Sequence, residues 1–165
     1  MTIEYTVLES ALGEVLTAER NGALVFVTVG KDGLKRLTAM AKKRFPDEQI
    51  IPSVVDSASQ IEGFLEGKRH EFDLNLDPGG TDFQRKVWNA LQKIPYGQTK
   101  TYSQIAKQIK HPNSARAVGQ ACGANPLPLV VPCHRVLASG GSLGGFGFGL
   151  DNKQKLLDLE SRKKN

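Results

Sequence analysis

Thr101-Tyr102-Ser103-Gln104-Ile105-Ala106-Lys107-Gln108-Ile109-Lys110-His111-Pro112-Asn113-Ser114-Ala115-Arg116-Ala117-Val118-Gly119-Gln120-Ala121-Cys122-Gly123 sets the architecture of the second half of the chain. Thr101 with Gln104 three residues on is a capping-box pattern, which satisfies two orphan backbone donors and starts a helix. Ile105, Ala106 and Ile109 share the inner face of that helix, which runs to about Lys110. His111-Pro112-Asn113 makes a tight turn, and a further helix runs from about Ser114 to Gly123. The same signature occurs upstream. Thr81-Asp82-Phe83-Gln84 opens a helix whose Phe83, Val87, Leu91 and Ile94 form an apolar stripe, and Pro95-Tyr96-Gly97 ends it.

Outward from there the pattern changes. Asp77-Pro78-Gly79-Gly80 is a turn-forming stretch with no apolar content. Before it, Tyr5–Leu8, Glu14–Ala18 and Ala23–Val29 read as strands separated by turn signals such as Asn21-Gly22. Gly33 to Phe45 reads as a basic helix halted by Pro46, and Ser57 to Leu65 as another. Phe72-Asp73-Leu74-Asn75-Leu76 alternates like a strand. The fold class is therefore α+β. A small N-terminal α/β domain (mixed sheet plus helices) over residues 1–77 precedes, after a linker at 78–80, a mainly helical C-terminal domain over residues 81–165.

Charge separates the two halves. Residues 1–80 carry 9 Lys/Arg against 13 Asp/Glu, and residues 81–165 carry 13 against 4. Only the second half suits a polyanion, although a solvated basic surface reads the same way. The two cysteines, Cys122 and Cys133, form no Cys-x-x-Cys pair and the three histidines are scattered, so no metal site is expected. No run is apolar enough to span a bilayer and the N-terminus lacks a signal-peptide pattern. The expectation is a cytoplasmic protein (nuclear in a eukaryote) with reduced thiols.

Helix, short turn, helix in a basic domain resembles a helix-turn-helix. The Ser114–Gly123 helix would be its recognition helix, but it offers one Arg, one Gln and mostly small residues. Few side chains there could read base edges in a major groove. Small residues instead permit close approach to a minor groove, with Arg116 projecting from the surface. The plain alternative is a helix made small to pack within a core.

The chemistry lies in Asn125-Pro126-Leu127-Pro128-Leu129-Val130-Val131-Pro132-Cys133-His134-Arg135-Val136, an apolar strand-like run that delivers a cysteine. A thiol is strongly nucleophilic only as the thiolate, which nearby bases and cations favour. Neighbours on an extended chain point to opposite faces, so His134 needs a bent backbone or a bridging water to serve Cys133. A buried cysteine beside a structural histidine is the alternative.

The motif Asn-Pro-x-Pro-x-x-x-Pro-Cys-His-Arg-Val at Asn125 to Val136 resembles the active-site signature of the O6-alkylguanine-DNA alkyltransferases, also called methylated-DNA–protein-cysteine methyltransferases. Gly80–Trp88, Ile94–Gly97, Thr101–Ala106 and Ala115–Gly119 resemble further motifs of that family in order, so the likeness covers essentially residues 80–160. The first half resembles the family only in length and element order. The resemblance implies that Cys133 accepts an alkyl group permanently and that His134 takes its proton through a water. It places at Glu160, on a helix from Asn152 to Leu159 or slightly beyond, the carboxylate that orients the histidine. Tyr102 would protonate the departing guanine, since a neutral base leaves more readily. Arg116 would fill the gap left by a flipped nucleotide, with Ala115, Ala117, Gly119, Gln120, Thr101 and Ser103 around it at the DNA. Asn125, Pro128, Val136, Phe146, Gly147 and Phe148 would form the substrate pocket, the carbonyls of Cys133 and Val136 accepting from the guanine amino group. The implied partner is double-stranded DNA bearing O6-methylguanine, with O4-methylthymine a further candidate. The protein would need no cofactor and would act as a monomer, with association along DNA left open.

Three other readings compete. A damage-flagging relative would lack the acceptor cysteine, which is present here. A transcription regulator would need a recognition helix richer in base readers. A turnover cysteine hydrolase would need an oxyanion hole, of which the sequence gives no sign.

Two features depart from the family pattern. In Gly144–Leu150, Phe146 stands where tyrosine is frequent, Gly147 where some members carry a serine, and Phe148 where many carry glycine. Cys122 sits on the recognition helix and is read as packing. A phenylalanine in the pocket wall narrows access, so O6-benzylguanine should react more slowly than O6-methylguanine in duplex DNA. Equal rate constants for the two would remove Phe148 as a size filter.

Overall fold

The computed structural model describes residues 1–162, so the domain end expected at residue 165 lies outside the described residues. The chain divides into two compact units, Met1–Pro78 and a second beginning at Gly79.

The first unit is a five-stranded mixed sheet with two helices. Its strands are β1 (Thr2–Ser10), β2 (Gly13–Arg20), β3 (Ala23–Val29), β4 (Gln49–Pro52) and β5 (Asn75–Leu76), in the order β4-β1-β2-β3-β5. β1, β2 and β3 form an antiparallel meander, while β4 pairs parallel to β1 and β5 parallel to β3. The β2–β3 turn is Asn21-Gly22 at φ 55° and 77°, the left-handed pair that a two-residue hairpin favours. Central strand β2 is buried on both faces. Helix α1 (Gly33–Arg44) places Leu37 and Ala41 against Ile3, Leu16, Ala18 and Val25. Helix α2 (Asp56–Leu65) covers the opposite face, where Ser57 and Thr17 share a buried hydrogen bond of 2.6 Å.

The segment expected as a strand at Phe72–Leu76 pairs only at Asn75–Leu76. Gln60 explains the difference. Its side chain donates to the Asp73 carbonyl at 3.0 Å and accepts from the Asp73 N–H at 2.9 Å, so this backbone is satisfied without a ladder.

The second unit is mainly helical, with α3 (Asp82–Gln92), α4 (Tyr102–Gln108), α5 (Ala115–Gly123) and α6 (Leu150–Ser161). Both capping boxes form, Thr81 with Gln84 and Thr101 with Gln104. Gly80 approaches the Trp88 ring so closely that a Cβ would lie 2.5 Å from it. The Trp88 indole donates to the Ala121 carbonyl at 2.9 Å and ties α3 to α5. Helix α4 ends two residues before the expected Lys110, which turns the chain at φ 66°. A short parallel pair, β6 (Lys100–Thr101) with β7 (Val136–Leu137), brings the start of α4 beside the Cys133 segment.

The run before Cys133 is not a strand. Pro126, Pro128 and Pro132 lack the N–H that a ladder needs, and Leu129 adopts φ 75°. The segment folds as turns, with Val131 N–H donating to the Leu127 carbonyl at 2.8 Å.

Candidate active site

Cys133, His134 and Arg135 form a single 3-10 turn, and all three are buried. Successive side chains on such a turn diverge by about 120° instead of the 180° of a strand. The backbone is therefore bent, not extended, at the Cys-His pair. Asn125 holds the loop in shape. Its side chain donates to the Val131 carbonyl at 2.8 Å and accepts from Leu127 N–H at 2.9 Å. Its own N–H reaches the Cys122 carbonyl at the end of α5, at 3.2 Å.

Burial pushes the Cys133 thiol up, while a hydrogen bond from Asn125 and the Lys153 ammonium pull the other way. Burial wins, so the resting group is a thiol and needs a base to become a nucleophile. Burial also pushes Cys122 up, to about 12, which suits packing.

His134 is fully buried, and its Nε2 lies 2.6 Å from Glu160 Oε2. Glu160 arrives from α6, where it is 1% exposed. Arg135 grips the same carboxylate through Nε to Oε1 at 2.8 Å and Nη2 to Oε2 at 2.9 Å. Gly97 N–H donates to Oε1 at 3.0 Å. Burial alone would raise the Glu160 carboxyl, but the hydrogen bonds and charges of His134 and Arg135 hold it at about 2. Burial lowers His134 against the pull of Glu160, with Arg135 and Lys153 acting in the same direction as burial. The imidazole is therefore neutral near pH 7. An ionised carboxylate on Nε2 selects the tautomer with its proton there, which leaves Nδ1 basic.

Tyr102 begins α4, with its ring beside Gly119 of α5 and its hydroxyl beside Gly144. A Cβ on Gly144 would lie 2.9 Å from that hydroxyl, and the residue also sits at φ 70°. Burial raises the phenol, so it stays protonated. Phe146 and Phe148 meet edge to face at 5.6 Å, with Gly147 exposed between them. Pro128 and Val136 are buried, and the Val136 carbonyl already accepts from Lys153 Nζ at 2.7 Å.

Arg116 and Gln120 are exposed on α5, and Ala115, Ala117 and Gly119 are half-buried around them. Val118, Ala121 and Cys122 point inward. Ser103 is half-buried on the first turn of α4, and the Thr101 hydroxyl is committed to capping that helix. Lys86, Lys93 and Lys110 line a separate basic cleft of about 270 Å³ between α3 and the end of α4.

Residues 82–162 match the family described as "6-O-methylguanine DNA methyltransferase, DNA binding domain". A methylated-DNA–protein-cysteine methyltransferase of Mycolicibacterium paratuberculosis is 54% identical, over 97% of this chain and 93% of its own length. Its counterpart in Methanosarcina acetivorans is 41% identical, over 94% and 97% respectively. The chain belongs to the methylated-DNA–protein-cysteine methyltransferase family. The crystal structure of the Mycobacterium tuberculosis O6-methylguanine methyltransferase superposes with a TM-score of 0.85 at 36% identity, covering 98% of this chain and 94% of that one. The Mycobacterium tuberculosis structure solved in complex with DNA superposes at 0.84, also at 36% identity, covering 97% and 94%.

Two residues of this methyltransferase-family site were not singled out by sequence. Lys153 is fully buried on α6, and its ammonium donates to the carbonyls of Val136, Leu143 and Gly145, pinning the Gly144–Phe148 loop to the Cys133 segment. Arg135 stood in view within the Pro-Cys-His-Arg tetrad, but its partner is 25 residues away. A lysine on the inner face of a C-terminal helix was the one available signal for the other.

In the unfolded chain Glu160 and His134 titrate near 4.5 and 6.5, and both lie lower in the fold. The unfolded chain then binds more protons as pH falls, so stability is lost below about 6.5 through His134 and again from about 4.5 toward 2 through Glu160. Urea midpoints should decline across the first window in the native protein. His134→Gln should flatten that decline and leave a reduced second one that Arg135 still supports; an unchanged slope in the first window would mean that His134 is not held neutral.

Proposed function

We propose that this protein repairs alkylated DNA by moving the alkyl group from O6 of a guanine to Sγ of Cys133. One observation carries the reading: the buried Cys133 thiol is followed on the same turn by a buried His134 whose Nε2 lies 2.6 Å from the Glu160 carboxylate. That arrangement supplies a base at the moment of attack and no charge before it.

In the reaction, His134 Nδ1 takes the thiol proton through a bridging water while Glu160 stabilises the imidazolium. Sγ attacks the alkyl carbon, a C–S bond forms and the C–O6 bond breaks. Tyr102 O–H delivers a proton to the departing guanine, and the imidazolium returns the balance to the phenolate. The product thioether is stable, so each molecule reacts once. A reducing, DNA-containing compartment suits a nucleophile that must stay unoxidised.

DNA as partner is supported by the relative solved with DNA and by the basic balance of the second half. The small-residue face of α5 fits a minor groove, with Arg116 filling the space of the flipped nucleotide. α4 and α5 act together as the helix-turn-helix, and the protein works as a monomer. Phosphate contacts make binding weaken as salt rises.

Intact and peptide mass after mixing with a duplex carrying one O6-methylguanine tests the transfer. One methyl group on the Cys133 peptide at one equivalent, absent in Cys133→Ser, is the expected result; turnover of methyl with unmodified protein would refute it. Arg116→Ala should slow repair in duplex DNA by roughly tenfold or more while leaving reaction with the free base unchanged. An equal loss in both would remove the finger role.

A further inference from the structure

We propose that Arg135 is a positioning residue that keeps His134 uncharged, and so able to accept a proton, by sharing the Glu160 carboxylate with it. The inference rests on His134 being the base.

A buried imidazole 2.6 Å from a carboxylate has a problem if the two are alone. The neutral-His state then carries one uncompensated negative charge, whereas the protonated state is a closed ion pair. Burial by itself disfavours the imidazolium, but the adjacent carboxylate favours it, and an imidazolium cannot take the thiol proton. Arg135 acts with burial against the pull of that carboxylate. With its permanent cation on the same carboxylate, the trio is neutral when His134 is neutral and carries a net positive charge when it is protonated.

The geometry is built for that sharing. Arg135 Nε lies 2.8 and 3.1 Å from the two carboxylate oxygens, and Nη2 lies 2.9 Å from Oε2. The guanidinium is fixed in turn by Nη1 donating to the Ile94 carbonyl at 2.8 Å and by the Tyr96 ring, whose centroid is 5.6 Å away. The surrounding groups do not reverse the balance. Lys153 on α6 is a second cation, Cys133 and Cys122 are thiols raised by burial, and Tyr96 is a phenol raised by burial. Arg162, at the end of α6, is a cation that acts on Tyr96. Among the described residues, Glu160 is the group that favours the imidazolium.

The test uses the full chain labelled with 15N-histidine, as the native protein, Arg135→Gln and Arg135→Lys. Two readouts are followed between about pH 5 and pH 9: the His134 nitrogen shifts, and the rate of methyl transfer to Cys133 from an O6-methylguanine duplex. In Arg135→Gln, His134 should titrate at least about one pH unit higher, and the acid limb of the rate should move with it. Arg135→Lys should return both toward native; if Arg135→Gln does not fold, a smaller upward shift in Arg135→Lys carries the same reading. A rate lowered by one factor at every pH, with His134 titrating as in the native protein, would overturn the proposal and leave Arg135 a purely structural role. If the nitrogen shifts move and the rate limb does not, the charge control stands and the assignment of His134 as base fails instead.

Discussion

The Glu160 carboxylate is the point on which the second unit depends. It is almost fully buried, and it joins α6, the loop after α3 and the 3-10 turn through Gly97, His134 and Arg135. An ionised carboxylate in such a place is tolerable only when fully paired, and leaving it without a partner costs on the order of 3–5 kcal/mol. The last helix is thus part of the candidate site although the cysteine lies on another segment. The same bonds that fix it choose the imidazole tautomer.

Around that carboxylate the loop bearing Cys133 is held by side chains where a sheet would have used backbone. Asn125 and Lys153 between them take the carbonyls of Val131, Val136, Leu143 and Gly145. Such a loop can bend tightly enough to set a cysteine and a histidine side by side and still leave few buried backbone groups unsatisfied. The cost is a buried thiol, which resists ionisation. A standing thiolate there would be strongly disfavoured.

Helix α5 shows how one short element serves two surfaces. Val118, Ala121 and Cys122 close the core, and Arg116 and Gln120 face solvent. Gly119 lies between, where the Tyr102 ring comes within ordinary contact distance of a would-be Cβ. The small residues that make the helix a poor reader of base edges also allow the phenol to approach it. The packing reading and the docking reading of this helix are therefore compatible.

Local signals were legible in the sequence because their physics is local. The two capping boxes, the Asn21-Gly22 hairpin and the apolar stripe of α3 each depend on residues within a few positions, and all three form. The motif around Cys133 identified the family in the same way. Elements that depend on distant partners were not legible. Strand β4 exists because β1 offers it an edge, and the Asp73 backbone is bound by the Gln60 side chain where a neighbouring strand was expected. The apolar run before Cys133 resembled a strand in hydropathy, yet its three prolines exclude a ladder. What the sequence by itself determined was the family, with a set of candidate reactive groups. Only the tertiary structure decided their protonation states, since burial and the partners of Glu160 come from segments 25 or more residues apart.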